Sequence, residues 1–304
     1  MPSVQPRRIK TISEFHQLRG LPEPEHPLIS VINFAPVEHL GDNETKSIFF
    51  DFYSIVLKRN FYAKMKYGQE AYDFDKGVLA FMSPGQVFAI PSDSAYALSG
   101  WMILIHPDFL WNTPLAKIIS QYEFFNYAVN EALHLSEKEE ATLTNIVQNL
   151  EQEYHSNIDG FSQNVMIAQL ELLLTYSDRF YNRQFITRKI SSHQILEKLE
   201  RFLHDYFSGD EITSKGLPSV QFIAEHLNVS QNYLGSLLKV LTGQSTQQHI
   251  HNKLIEKAKV KLSTTNLTVS EIAYALGFEH SQSFSKIFKA KTKFSPSEFR
   301  QSFN

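Results

Sequence analysis

The fold of the C-terminal third is decided by a pattern that occurs twice, as Val220-Gln221-Phe222-Ile223-Ala224-Glu225-His226-Leu227 and as Val269-Ser270-Glu271-Ile272-Ala273-Tyr274-Ala275-Leu276. Each copy is followed by a short break, at 228–230 and at 277–279, and then by a second apolar stripe. The copies lie 49 residues apart before the break and 50 after it. A short helix, a tight turn and a second helix, with a small alanine where the helices cross, are typical of a helix-turn-helix. Two copies predict a chain that contacts two neighbouring stretches of DNA.

The second helix of each copy has one apolar and one polar face. Leu234, Leu237, Leu238 and Leu241 recur at helical spacing in the first copy, as Phe284, Ile287 and Phe288 do in the second, so these faces are expected to be buried. Asn and Gln can contact adenine edges, Lys can reach guanine or phosphate, and small residues let the backbone approach. The predicted DNA contacts are therefore the outward residues Gln231, Asn232, Gly235, Ser236 and Lys239, and Ser281, Gln282, Ser283, Lys286 and Lys289.

A long helix is predicted between the copies, from about residue 244 to 263, with Ile250, Leu254, Ala258 and Leu262 on one face. About 20 helical residues span ~30 Å, and successive major grooves on one face of DNA lie ~34 Å apart. The helix could therefore hold two reading helices in adjacent grooves. The alternative is a helical bundle used only for protein contacts.

Charge is unevenly distributed along the chain. Its net charge is −3, but residues 230–304 contain ten Lys and Arg against four acidic residues, a charge of +6 that leaves −9 on the remainder. A polyanion would therefore meet the C-terminal end. The alternative is a solvated, lysine-rich helix surface.

Length and composition narrow the remaining classes. With 304 residues the chain can form two domains. It has no cysteine, which excludes disulfides, thiolate zinc sites and a cysteine nucleophile. No apolar run approaches the ~20 residues of a membrane span, and no apolar stretch follows the basic residues near the N-terminus, so no signal peptide is expected. We expect a cytoplasmic protein with no membrane contact.

The N-terminal part predicts an α+β fold. Residues 28–106 are rich in β-branched and aromatic residues between turn signals, which favours a sandwich or small barrel. Helices are expected over 115–182. One begins with the capping box Ser136-Glu137-Lys138-Glu139 and carries the stripe Leu143, Ile146, Val147, Leu150 and Tyr154. A second, over 161–181, carries Val165, Ala168, Leu172, Tyr176 and Phe180. A basic, polar linker is expected at 183–192.

Three C-terminal motifs resemble the signature of the AraC/XylS family of bacterial transcription regulators. They are Glu271-Ile272-Ala273-Tyr274-Ala275-Leu276-Gly277-Phe278, Phe284-Ser285-Lys286-Ile287-Phe288-Lys289 and Ser295-Pro296-Ser297-Glu298-Phe299-Arg300. The resemblance implies a seven-helix DNA-binding domain over 193–304, with two helix-turn-helix units joined by a long helix. It also implies that base-reading residues fall on Asn232, Gly235 and Ser236, and on Ser281, Gln282, Ser283 and Lys286.

Residues 1–182 are more loosely similar to the cupin-like sensing domain of many such regulators, through 72–81 and Pro84-Gly85-Gln86. This likeness implies a small-molecule effector and dimerisation by a helix after the barrel, for which the stripe Leu143, Ile146, Leu150 and Tyr154 is the candidate. Aromatic residues could line a pocket or fill the core: Phe50, Phe52, Tyr72, Phe74, Phe81, Phe88, Tyr96 and Trp101. The sequence assigns no effector-binding residue among them.

Three functions remain open. The first is a DNA-binding transcription regulator with an effector, and the second is a regulator whose N-terminal domain only dimerises or contacts partners. The third is a cupin enzyme with a DNA-targeting tail, which the sparse histidines His39 and His106 of the β region disfavour. We therefore expect no enzyme, no catalytic residue, no metal and no cofactor. The expected partners are double-stranded DNA and a second copy of the chain, with RNA polymerase and a small-molecule effector as further candidates.

Overall fold

The computed structural model describes residues 6–34, 47–59, 65–67, 70–72, 77–89, 99–128, 131–157, 159–187, 189–209 and 211–302. The chain forms two compact units, Met1–Gln184 (unit 1) and Phe185–Asn304 (unit 2). The division lies within the stretch 183–192 predicted as a linker. That stretch is helical on both sides of Arg188.

Unit 1 contains the β-strands. They are β1 (Arg7–Ile9), β2 (Ile29–Asn33), β3 (Ser47–Phe50), β4 (Tyr53–Arg59), β5 (Met65–Tyr67), β6 (Glu70–Tyr72), β7 (Val78–Met82), β8 (Phe88–Ala89), β9 (Ser99–Ile105) and β10 (Leu133–His134). A five-stranded sheet has the order β10-β7-β4-β9-β2, a three-stranded sheet has the order β1-β3-β8, and β5 pairs with β6. Among the described strands no pairing joins these sheets into a closed barrel.

The helices of unit 1 are α1 (Ile12–Leu18), α2 (Pro114–Ile118), α3 (Glu137–Tyr154) and α4 (Ser162–Thr187), and single 3-10 turns occupy Pro107–Leu110, Ile119–Gln121 and Glu123–Asn126. The predicted capping box starts α3, since Glu139 accepts from the Ser136 backbone N–H at 2.8 Å. One face of the large sheet packs with α1 and the small sheet around Phe50 and Phe52. On the other face, the Trp101 indole N–H donates to Glu151 of α3 at 2.8 Å.

The apolar stripe of α3 belongs to the core of its own chain. Leu143, Ile146, Leu150 and Tyr154 are at most 5% exposed in the single chain. The hypothesis that this stripe binds a second subunit is therefore wrong, because the stripe has no free surface to offer. The sequence indicated which face of α3 is apolar, but the residues that cover this face come from distant parts of unit 1.

Unit 2 is helical. Its helices are α5 (Lys189–Tyr206), α6 (Glu211–Lys215), α7 (Val220–His226), α8 (Gln231–Thr242), α9 (Thr246–Thr264), α10 (Val269–Ala275), α11 (Ser281–Thr292) and α12 (Pro296–Gln301). Within the described ranges, every helix of the chain is too short or too polar to cross a lipid bilayer. The chain thus combines an N-terminal unit of sheets and helices with a C-terminal unit of helices.

Candidate DNA-binding surface

The two helix-turn-helix units are built alike. Ala224 and Ala273 are buried where the paired helices cross. The turns bend back through left-handed residues, Asn228 (φ 56) and Gly277 (φ 80). In both turns the next N–H donates to the alanine carbonyl at 3.0 Å, from Val229 to Ala224 and from Phe278 to Ala273. The residue types that permit positive φ therefore fix the angle between the two helices of each unit.

The first candidate reading helix, α8, is held by its leucine face. Leu234, Leu237 and Leu238 have no exposed surface, and Leu241 is half-buried. The Ser230 hydroxyl caps the helix by accepting from the Tyr233 backbone N–H at 3.2 Å. On the opposite side Gln231, Asn232 and Lys239 are exposed, while Gly235 and Ser236 are half-buried. The outward positions that were predicted to contact DNA thus share one face of α8.

The second candidate reading helix, α11, is held by aromatic residues. Phe284 and Phe288 are fully buried, and their rings pack 5.6 Å apart between centroids. Gln282, Ser283, Lys286 and Lys289 are exposed, and Ser281 is half-buried with its carbonyl accepting from the Ser285 hydroxyl at 3.0 Å. Among the predicted contact residues, α11 therefore presents two lysines and one exposed amide, whereas α8 presents one lysine and two exposed amides.

The linker helix α9 connects the two helix-turn-helix units and sets their spacing. Ile250, Leu254, Ala258 and Leu262, the residues predicted to share one face, are all buried. The helix has 19 residues, which corresponds to about 28 Å. It begins with a capping box in which Gln248 accepts from the Ser245 N–H at 2.8 Å. A rigid helix of this length suits two reading helices in successive major grooves, ~34 Å apart.

A groove beside α11 was missed by the sequence analysis. It has a volume of about 660 Å³ and is lined by Ser283, Lys286, Ile287, Ala290 and Lys291 of α11 and by His251 of α9. Burial, and then the nearby Lys291 ammonium, lower the pKa of His251 below its ordinary value. The α11 residues recur at helical spacing from Ser283. That spacing is readable from the sequence, but the contact with His251 on a different helix is not.

Lys291 is held at this groove by a chain of hydrogen bonds. Its ammonium donates to the Asn252 side-chain oxygen at 2.9 Å, and the Asn252 amide donates to Gln244 at 2.8 Å. These hydrogen bonds connect the end of the first helix-turn-helix unit, the linker helix α9 and the second reading helix α11. They also leave the Lys291 side chain exposed to solvent.

The aromatic residues of unit 1 fill its core where they are described. Phe50, Phe52, Phe81 and Trp101 are at most 6% exposed. Tyr72 and Phe88 lie in strands, without described side chains, while Phe74, Tyr96 and His39 lie outside the described residues. His106 accepts from the Asp108 backbone N–H at 3.2 Å. In the described part of the chain no three His, Asp or Glu side chains are grouped as metal ligands would be.

Comparison with known proteins supports the interpretation of unit 2 as a helix-turn-helix domain. Residues 223–302 match the model of a helix-turn-helix domain family. The chain is 37% identical over 84 residues to the raffinose operon transcriptional regulatory protein RafR of Pediococcus pentosaceus, covering 28% of this chain and 30% of RafR. It is 30% identical over 140 residues to the transcriptional activator RhaS of Escherichia coli O139:H28, covering 46% of each. The matched part thus spans less than half the length of these relatives.

Among solved structures, the chain is similar to the C-terminal domain of AraT, a response regulator from Geobacillus stearothermophilus. The two are 29% identical, with 36% of this chain and 84% of that chain covered and a TM-score of 0.32.

Proposed function

We propose that this protein is a sequence-specific DNA-binding transcription regulator with a double helix-turn-helix domain of the AraC/XylS type. Its residues 223–302 match a helix-turn-helix domain family, and RhaS, to which it is 30% identical over 140 residues, is a transcriptional activator. The observation that carries the proposal is the pair of exposed polar faces on α8 and α11, with the 19-residue helix α9, about 28 Å long, between the two helix-turn-helix units. The ten predicted contact residues lie on these two faces. A regulator of this kind acts on chromosomal DNA, in the cytoplasm, where RNA polymerase is a further candidate partner.

The test is the salt dependence of DNA binding by the full chain. Sites are first selected from genomic fragments, and affinity is then measured between about 50 and 200 mM salt. Because lysines on both reading helices would displace counterions from phosphates, affinity should fall steeply over this range. Specific sites should also bind at least ~10³-fold more tightly than random DNA. Absence of DNA binding would favour the alternative of a bundle for protein contacts, and equal binding on all sequences would contradict sequence-specific recognition.

We further propose that the protein is a homodimer formed through α4. With the apolar face of α3 buried, the described residues of unit 1 still include an exposed apolar stripe. It consists of Phe161, just before α4, and of Val165, Ala168 and Leu172 on α4, with Phe161 73% exposed. Its spacings of four, three and four residues follow the heptad pattern by which two helices pair. The opposite face of α4, which includes Leu170, Leu173 and Leu174, is fully buried in unit 1. A second copy of α4 would cover the stripe in a self-complementary way.

We also propose that unit 1 is a cupin-like domain that binds a small effector between its two main sheets. The inner face of the large sheet is buried at Val56 and Leu104 but only partly buried at Met102, Phe34 and Lys58. Burial lowers the pKa of Lys58 below its ordinary value. This end of the sheet combines apolar side chains with one amine, as a small-molecule pocket does. Thermal shifts of the full chain with a metabolite panel test this proposal. A panel without hits would favour a regulator without an effector.

A further inference from the structure

We propose that the groove between α9 and α11 holds one deoxyribose-phosphate unit of the DNA backbone, with Lys291 and His251 as its contacts. This inference rests on the proposed function and adds residues outside the outward faces of α8 and α11. The groove is lined by His251, Ser283, Lys286, Ile287, Ala290 and Lys291. It therefore runs along one side of the second reading helix, next to the face proposed to read bases.

The chemistry of the lining matches both halves of a backbone unit. Two lysine ammonium groups and an imidazole provide the N–H donors that a phosphate accepts. Ile287 and Ala290 provide an apolar surface for the sugar, which offers C–H groups rather than charges. Ser283 and Ala290 are small, so a backbone strand can approach the helix closely. Ser283 and Lys286 also belong to the face proposed to read bases, whereas Lys291 and His251 do not and are left to contact the backbone.

Lys291 and His251 are positioned before any DNA arrives. Asn252 accepts from the Lys291 ammonium at 2.9 Å and is itself oriented by its hydrogen bond to Gln244 at 2.8 Å. The Gln247 side-chain amide lies 3.0 Å from the His251 ring Nε2. A lysine that is already ordered loses less conformational freedom on binding than a fully mobile one. This network therefore favours a contact that fixes the register of α11 on the duplex.

The decisive experiment compares Lys291→Gln with Lys259→Gln in the full chain, on a selected site. Both changes remove one positive charge from unit 2, but the Lys259 ammonium lies 5.9 Å from the centre of the Phe299 ring, against α12. Lys291→Gln should weaken binding roughly 3- to 10-fold at ~150 mM salt and lower the slope of log K against log salt by about 0.9. Lys259→Gln should change the slope by less than half as much. Thermal melts establish that both variants are folded.

A scan with neutral methylphosphonate linkages identifies the phosphate. At one position of the site, the neutral linkage should weaken DNA binding by the wild type. The same linkage should not further weaken binding by Lys291→Gln, which already lacks this contact. His251→Leu should behave in the same way, and His251→Gln, which retains a donor, should bind more tightly than His251→Leu. The groove contact would be overturned, with the proposed function left intact, if the two lysine variants had equal salt slopes. It would also be overturned if every neutral linkage weakened binding of wild type and Lys291→Gln equally. A wild type that binds no DNA would overturn the proposed function with it.

Discussion

Gly243 and Lys293 end the two reading helices with the same left-handed backbone, at φ 70 in both residues. Each amide donates to the carbonyl four residues earlier, from Gly243 to Lys239 at 3.0 Å and from Lys293 to Lys289 at 2.9 Å. The second helix-turn-helix unit thus has a lysine at a position where the backbone conformation favours glycine. Strain from the lysine Cβ is therefore stored at the end of α11.

We expect Lys293→Gly to stabilise unit 2 against unfolding. Removing a Cβ from a left-handed residue relieves about 1 kcal/mol of strain, less the greater freedom that glycine has in the unfolded chain. The net gain should be about 0.5 kcal/mol, measured by chemical denaturation. The matched control is Gly243→Lys, which gives the first helix-turn-helix unit the residue found in the second. This change should destabilise unit 2 by a similar amount. Stability changes of the same sign for the two substitutions would contradict strain at Lys293.

Gly277 has a second reason to be glycine. It has φ 80, and a Cβ placed on it would lie 2.9 Å from the Gly216 carbonyl carbon and 2.9 Å from the Ile212 carbonyl oxygen. No heavy atom lies within 4 Å of the equivalent position on Gly243. Gly277→Ala should therefore lower the free energy of unfolding by at least ~2 kcal/mol more than Gly243→Ala does. Equal losses in denaturant titrations would show that the backbone at Ile212 and Gly216 can move aside.

These glycines illustrate what the sequence could predict. The helix-turn-helix units follow from local spacing, so the predicted buried faces of α8, α9 and α11 were correct except at Leu241 and Ile287, which are half-buried. The contact between Lys291 and Asn252 joins residues 39 apart in sequence, and no local pattern encodes it. A stripe likewise shows which face is apolar but not what covers it. Hence α3 was assigned to a partner although its own unit buries it, and on α4 the stripe of Val165, Ala168 and Leu172 is exposed.

The two capping boxes that follow the reading helices differ in charge and should differ in pH response. Ser295 and Glu298 form the second box, with the Ser295 N–H donating to the carboxylate at 2.7 Å, where Ser245 and the neutral Gln248 form the first. The backbone N–H and then the hydroxyl of Ser295 lower the pKa of Glu298 below 4.5. The carboxylate therefore contributes stability above about pH 4.5 that is lost as pH falls through its lower folded pKa.

Glu298→Gln should remove part of this pH dependence while keeping the helix cap, since Gln248 already completes the first box. The measurement is unfolding of unit 2 in denaturant from pH 7 down to pH 3. The variant should lose less stability than the wild type over the acidic part of that range. Gln248→Glu is the reciprocal change and should introduce the same acid sensitivity into the first box. Parallel curves for wild type and Glu298→Gln would exclude a role for this carboxylate.

The second reading helix should discriminate bases more strongly than the first. Gln282 and Lys286 can make contacts through several atoms, while Gly235 on α8 has no side chain. Gln282→Ala or Lys286→Ala should cost about 1–3 kcal/mol at a selected site and relax base preference there. Gln301→Ala, an exposed glutamine on α12, serves as the control and should change nothing. Equal losses on random DNA would show that Gln282 and Lys286 contact only the backbone.

The proposed dimer depends on the exposed stripe of α4. Val165 and Leu172 are 40% and 44% exposed in the single chain, so the double change Val165→Glu and Leu172→Glu should leave unit 1 folded. Two copies of the stripe would place these carboxylates against apolar side chains and against each other, which opposes pairing. Sedimentation at micromolar concentration should therefore show a dimer for the wild type and a monomer for the variant.

The control for this prediction places the same charges on α3. Asn145→Glu and Gln148→Glu add two carboxylates on the exposed face of that helix, and the dimer should persist. Ile146→Glu with Leu150→Glu should instead unfold unit 1, because both side chains are buried. The dimeric wild type, with two reading helices in each chain, would present four helices to DNA and bind two half-sites more tightly through effective concentration. A wild type that sediments as a monomer would contradict the proposed dimer through α4.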